Sequence, residues 1–271
     1  MATRPRSATQ QLRNLQSKIR AESVRFHAAQ EELAREAEKA VHDLFAGAPA
    51  SDLADDEAGW FERFLAVILP FRRRSRELAR DYYSRLRYLQ GLDTGFAIPE
   101  PSAWAERNAV ANGYFSQGPG GVLRELRKGE AGKARVDLTD PEFVAKLDEA
   151  MAAAVRAQER ATVKQVQDAG RDAVADAVER DKDAIGFYIQ INSPSPCAYC
   201  IMLASRGVSY KSRRTARAAF HDNCFCQPVP VFTRGIDGDE WTEKAKQLYK
   251  NTETRTSKGG KKYTAFKKGQ E

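Results

Sequence analysis

The chain has 271 residues, 42% of them apolar and 30% charged, with 44 Lys plus Arg against 37 Asp plus Glu and a formal charge of +7. That apolar share lies a little under the roughly 45–50% usual for globular domains, so one well-filled core over the whole length is not expected. The longest uncharged, strongly apolar stretch, 64–71, is far short of the ~20 residues that cross a bilayer, and no apolar run follows the charged N-terminus, so a soluble chain made in the cytosol, with no membrane partner, is expected.

Residues 8–45 carry Leu12, Leu15, Ile19, Val24, Leu33 and Val41 as a loose stripe in a background of Glu, Arg, Gln and Ala, which predicts a long helix. Turn and breaker residues over 46–56 predict a loop. A helical pattern resumes near Glu57, where Trp60, Phe61, Phe64, Leu65, Ile68 and Leu69 form one broad apolar face, and Pro70 should kink or end it. A second helix is predicted over 73–90, with Leu78, Tyr82, Leu86 and Leu89 at helical spacing. Arg72, Arg73, Arg74, Arg76, Arg80, Arg85 and Arg87 make a basic stripe there, partly offset by Glu77 and Asp81, and this reads as a solvated face.

From 91 to 139 glycines and prolines, above all Gly118-Pro119-Gly120-Gly121, predict an irregular connection with a helical turn or two near 122–128. Asp140 is a good N-cap, Pro141 an N1 proline, and Glu142 complements the helix dipole. The spacing of Phe143, Leu147, Met151, Val155, Val163, Val166, Gly170, Val174 and Val178 then predicts one helix of about 40 residues, roughly 60 Å long. Its small Ala and Val positions let neighbours approach closely, which suits a bundle or a protein contact better than an enzyme core. Residues 185–191 alternate like a β-strand, and 228–232 form a second extended segment in which Pro230 marks an edge. A helix over 239–250 precedes a Gly/Lys/Thr/Ser-rich tail that should be flexible.

The four cysteines cluster: Cys197 and Cys200 form Cys-x-x-Cys, and His221, Cys224 and Cys226 form His-x-x-Cys-x-Cys. A Cys-x-x-Cys turn brings two thiolates to one ion, and a pair from a second segment completes a tetrahedron. In a reducing cytosol this favours a metal, zinc, over disulfides. Five ligands compete for four positions: Cys197 and Cys200 are the surest, joined by two of His221, Cys224 and Cys226. The competing expectation is buried thiols, inert or redox-active, or two disulfides. Zinc would supply folding free energy that the polar loop between the two halves lacks.

That loop holds Arg206, Lys211, Arg213, Arg214 and Arg217, with no acidic residue from Ile201 to His221. It fits contact with a phosphate backbone or an acidic partner as well as it fits a solvated face. Five lysines between Arg255 and Lys268 add a tail that would seek nucleic acid. Catalytic signals are thin. His27 and His42 lie on the polar N-terminal helix and are expected to be exposed. His221 and Asp222 with Ser205 or Ser209 could be drawn as a serine hydrolase, but no Gly-x-Ser-x-Gly elbow is present and His221 has a competing use as a ligand. Cys200 with His221 as a thiol pair is no stronger, and neither a P-loop nor Gly-x-Gly-x-x-Gly occurs. No catalytic residue is assigned.

At Cys197-Ala-Tyr-Cys-Ile-Met-Leu-Ala-Ser-Arg-Gly207 and Phe220-His-Asp-Asn-Cys-Phe-Cys226 the chain resembles the tailed-phage head morphogenesis proteins related to the F protein of phage Mu, in the actinobacteriophage version encoded beside the portal gene. The resemblance covers about 140–232, most firmly 197–230. It implies a minor capsid protein that touches the portal protein, the major capsid or scaffold protein and packaged DNA, in the host cytoplasm during assembly and then in the virion near the portal vertex. Proteins at this genome position are often labelled capsid maturation proteases, which is the alternative; a zinc-finger-like DNA-binding protein is the second alternative.

The expectation is a mainly α protein, long helices with a small C-terminal α+β module tied by a Cys/His zinc site. Its parts would be a helical region at 1–92 for portal or shell binding, an irregular linker at 93–139, the cysteine-bearing module with its long helix at 140–232, and a helix with a flexible basic tail at 233–271.

Overall fold

A computed structural model of the chain describes residues 7–93, 95–129, 140–193, 195–216, 224, 226–257, 260 and 262–267. Helices dominate, with a few short strands toward the C-terminus. The predicted first helix is α1, Ala8–Phe45, capped by Ser7, whose Oγ accepts from the Gln10 amide at 3.3 Å. Part of the expected loop is a short helix, α2, Ala50–Asp55. Next comes α3, Glu57–Leu89, capped by Asp56 through the Gly59 amide at 3.0 Å.

The helix α3 continues through Pro70, where the sequence allowed for an end and a separate helix over 73–90, and on to Leu89. Pro70 and Ala66 are both exposed, so the Ala66 carbonyl that loses its partner can turn to water. The segment expected to be irregular carries two helices, α4, Ala103–Ser116, and α5, Pro119–Gly129. Ser102 caps α4 by accepting from the Ala105 amide at 3.2 Å. Glycine here serves packing: a Cβ on Gly113 would come within 2.0 Å of the Gln165 amide nitrogen on the helix beneath. That neighbouring helix is α6, Pro141–Arg180, capped by Asp140 as the sequence predicts.

The three long helices pack on one another. Between them, Ser75 Oγ donates to Gln30 Oε1 at 2.8 Å and lies 2.6 Å from the Val166 carbonyl, while Gln30 Nε2 donates to the Ser75 carbonyl at 2.9 Å. Gly170 faces this knot, and a Cβ there would lie 3.1 Å from the Ser75 carbonyl and 2.6 Å from Gln30 Nε2. Gly170→Ala therefore trades better helix propensity for overpacking, and a net loss of about 1–3 kcal/mol is expected. Urea denaturation followed by circular dichroism measures it; an unchanged or raised midpoint would show that the helices have room to spare.

The basic stripe on α3 is not a solvated face throughout. Arg72, Arg76 and Arg87 are buried, because each finds a carboxylate that the linear pattern does not show. Arg72 Nε lies 2.9 Å from Glu106 Oε2, and Arg76 Nη1 lies 2.7 Å from Glu106 Oε1, which ties α4 to α3. Burial pushes the Glu106 carboxyl up, but hydrogen bonding and charge from Arg72 and then Arg76 outweigh it and leave it below its ordinary value. A carboxylate depressed in the folded state contributes stability that is complete above its unfolded pKa, ~4.3, and is lost as pH falls through the folded value. Glu106→Gln should therefore lower stability at neutral pH and flatten its decline below about pH 4.3, as followed by chemical denaturation over a pH series.

Beyond α6 lies the module. Strand β1, Gly186–Gln190, pairs antiparallel with β2, Gln227–Val231, with Tyr188 opposite Val229 and Pro230 opposite Phe187. Between them come α7, Ala198–Ala204, and the basic turn α8, Arg213–Ala216. The last helix, α9, Glu240–Tyr249, has a capping box between Asp239 and Thr242. The tail differs from expectation: β3, Thr252–Thr256, and β4, Lys262–Phe266, form an antiparallel hairpin. The hairpin seats on the module, with Thr264 Oγ1 3.6 Å from Met202 Sδ and Phe266 packed on the core, so apolar contact orders a composition that reads as flexible. One apolar cluster gathers Phe45, Phe64, Ile68, Val110, Tyr114 and Met151. The other joins Phe26, Tyr82 and Val174 of the long helices to Tyr188, Val229 and the cysteines.

Candidate metal centre

Pro196 precedes Cys197, which caps α7: its Sγ accepts from the Cys200 amide at 3.3 Å, so the Cys-x-x-Cys spacing becomes the first turn of a helix. Cys200 then points into the module beside the chain entering β2. The sulfurs of Cys200, Cys224 and Cys226 all lie within 4.8 Å of one another, and Cys200 Sγ is 3.4 Å from Cys224 Sγ. All three are buried, and none of the four cysteines is in a disulfide. Cys197 is half-buried at the rim, hydrogen-bonded through its thiol to Cys200. His221 lies outside the described residues, so the structure brings together three of the five predicted ligands and sets the fourth cysteine next to them.

The donor set fits a thiophilic ion. Four thiolates ~2.3 Å from one zinc sit ~3.8 Å apart, close to the spacing of these sulfurs. Without an ion the cluster titrates as a unit. Cys200 is pushed up by hydrogen bonding to Cys197 and then to Cys224 and Cys226. Cys224 is held well below an ordinary thiol, first by hydrogen bonds from Cys200 and Cys226 and further by the charge of Arg171.

The second half of the cluster is held by the long helices. Arg171 on α6 donates through Nε to the Cys226 carbonyl at 2.9 Å and through Nη2 to the Cys224 carbonyl. Gln227 Nε2 donates to the Ser23 carbonyl of α1 at 2.7 Å, and the Phe232 amide donates to Gln90 Oε1 at the end of α3 at 2.8 Å. Sequence reasoning missed Arg171; its one signal is a position one turn after Gln167, beside the Val166, Gly170 and Val174 stripe, where a charge is out of place.

Of the predicted basic residues, Arg206, Lys211 and Arg214 are exposed around α7 and α8. Arg213 has its backbone in α8, its side chain lying outside the described set, as does all of Arg217. The drawn hydrolase finds no support in Ser205, whose Oγ donates to the Met202 carbonyl at 2.9 Å and closes the end of α7; His221 and Asp222 lie outside the described residues. His27 corrects another expectation. It is part-buried between α1 and α6, where burial first, and Arg171 less, lower its pKa against the opposing pull of Glu31.

Fold and site together define a mainly helical protein in which a buried thiol cluster, suited to a metal, is fastened to a bundle of long helices. The chain belongs to the VG15 protein family, whose model matches residues 17–252, a span that takes in α2 through α9. This is a family of viral gene proteins and points to a phage-encoded chain. No curated protein and no solved structure matches it. Among the described residues no helix is long and apolar enough to cross a membrane.

Proposed function

We propose that this protein is a minor capsid or head morphogenesis protein of a tailed bacteriophage, joining portal, shell and DNA during head assembly. The observation that carries the reading is membership of a viral gene protein family over 17–252. In this reading the region 1–92 offers protein-contact surface, 140–232 is the cysteine module, and the protein works in the host cytoplasm and then inside the virion near the portal vertex. The metal is zinc, bound structurally by Cys200, Cys224 and Cys226 with Cys197 as the fourth ligand; the proximity of the first three sulfurs and the hydrogen bond of Cys197 to Cys200 support this set. Arg206, Lys211 and Arg214 face solvent and are the candidates for phosphate contact.

Co-expression tests the assembly role. The full chain should co-purify with the portal protein encoded beside it, and co-expression with the cognate major capsid and scaffold proteins should yield no cut product. A specific cleavage product would instead favour the capsid maturation protease, and duplex binding with no portal binding would favour the DNA-binding alternative. The variant Arg206→Gln/Lys211→Gln/Arg214→Gln should weaken duplex binding and reduce the salt slope by about 0.9 for each phosphate no longer neutralised, about 2.7 in all. An unchanged slope would make this loop a solvated face.

A further inference from the structure

We infer that Arg171 is a positioning residue for the thiol cluster: its guanidinium grips the segment bearing Cys224 and Cys226 and offsets the surplus negative charge of a multi-thiolate metal site. The inference rests on the metal reading of that cluster. Arg171 comes from α6, far from the cysteines in sequence, and is only 5% exposed. One fork spans both ligand residues, Nε on the Cys226 carbonyl and Nη2 on the Cys224 carbonyl. Its remaining contacts hold the fork still: Nη2 donates to Gln167 Oε1 at 3.0 Å and Nη1 to Asp168 Oδ1 at 3.0 Å. Both neighbours sit on the same helix, so the guanidinium is braced on a rigid element before it meets the module.

Charge gives the second half of the role. A divalent ion with three or four thiolates carries a net charge of −1 or −2, and the three clustered cysteines are each no more than 3% exposed. Water cannot screen that charge, so a neighbouring cation must. Arg171 supplies it at the carbonyls of the ligand residues. Asp168 does not cancel it, because Asp168 also pairs with Lys164. A lysine at this position would keep the charge but could not span two carbonyls with a planar fork.

The test uses the full chain and two readouts: cobalt(II) titration, followed by its thiolate charge-transfer and ligand-field absorption, and zinc affinity by competition with a chromophoric chelator. Arg171→Met should bind zinc about 10–100-fold more weakly than the unaltered chain, and Arg171→Lys should fall between. Asp168→Asn keeps an oxygen that accepts from Nη1 and leaves the grip on the carbonyls in place, so it should bind at least as tightly. If Arg171→Met does not fold, Arg171→Lys and Asp168→Asn decide. In Arg171→Lys, lower affinity at an unchanged metal-free denaturation midpoint separates positioning from general stabilisation. Unchanged affinity in Arg171→Lys and Arg171→Met, or a tenfold loss in Asp168→Asn, would overturn the inference. An unaltered chain with no cobalt charge-transfer band would overturn the metal reading itself.

Discussion

Cys224→Ala is expected to empty the metal centre and unfold the module while the helical bundle survives. Cys224 lies 3.4 Å from Cys200 and shares the buried cluster with Cys226. Removing it takes away a donor in direct contact with the ion, so zinc affinity should fall by more than the roughly 10–100-fold that loss of an outer partner costs. Zinc binding to small structural sites contributes about 10–16 kcal/mol of apparent free energy, far more than the short sheet of β1 and β2 could replace. The purified chain should hold about one zinc, and the variant less than about a tenth of an equivalent. Hydrogen exchange should show amides of 197–216 and 226–231 losing protection while those in the middle of α1, α3 and α6 keep theirs, since the hydrogen bonds among Gln30, Ser75 and Val166 do not involve the cysteines. A chelator should reproduce the pattern. If the unaltered chain lacks metal and Cys224→Ala leaves exchange over 197–216 and 226–231 unchanged, the cysteines are simply packed thiols.

The second large effect is expected at Arg87. Asp181 caps the C-terminus of α6, where the helix dipole disfavours a carboxylate, and its side chain is only 3% exposed. Arg87 neutralises it in a direct ion pair, and Tyr83 donates to Asp181 Oδ2 at 2.9 Å. The same guanidinium reaches Asp183 Oδ2 at 3.1 Å and lies over the Phe232 ring at 5.5 Å, so one side chain locks α3, α6 and the end of β2 together. Arg87→Met leaves a buried carboxylate without its counter-ion and should cost about 3–5 kcal/mol, read from the denaturation midpoint. Arg87→Met/Asp181→Leu should recover much of that loss, because apolar groups of similar size need no counter-ion. A double variant no more stable than the single one would place the cost in weakened packing on Phe232 and Phe96 instead.

The long helices were legible because their signals are local. Asp140 caps α6 through an amide two residues on, and the apolar stripes repeat within a single turn. Helix α4 was not legible and only a turn or two of α5 was, because α4 spreads its apolar residues around its circumference and its glycine reads as a breaker; Gly113 makes sense only against Gln165. The arginines of α3 misled for a related reason. Glu77 and Asp81 are near in sequence, but the carboxylates that bury Arg72, Arg76 and Arg87 are Glu106 and Asp181. In the tail, polarity concealed a hairpin whose order comes from Met202 and the core beneath Phe266.

The cysteine site divides the same way. Sequence alone determined which residues could bind a metal, since Cys-x-x-Cys and Cys-x-Cys place donors a turn or a strand step apart. It also set the mainly helical class, through caps and periodicity that act over a few residues. Only the tertiary structure decided that Cys200 meets Cys224 and Cys226 in a buried cluster, and that Arg171 stands behind them. Those contacts join residues dozens of positions apart, and they form because burial of the shared apolar core brings α6 against β2, a pairing that no local pattern encodes.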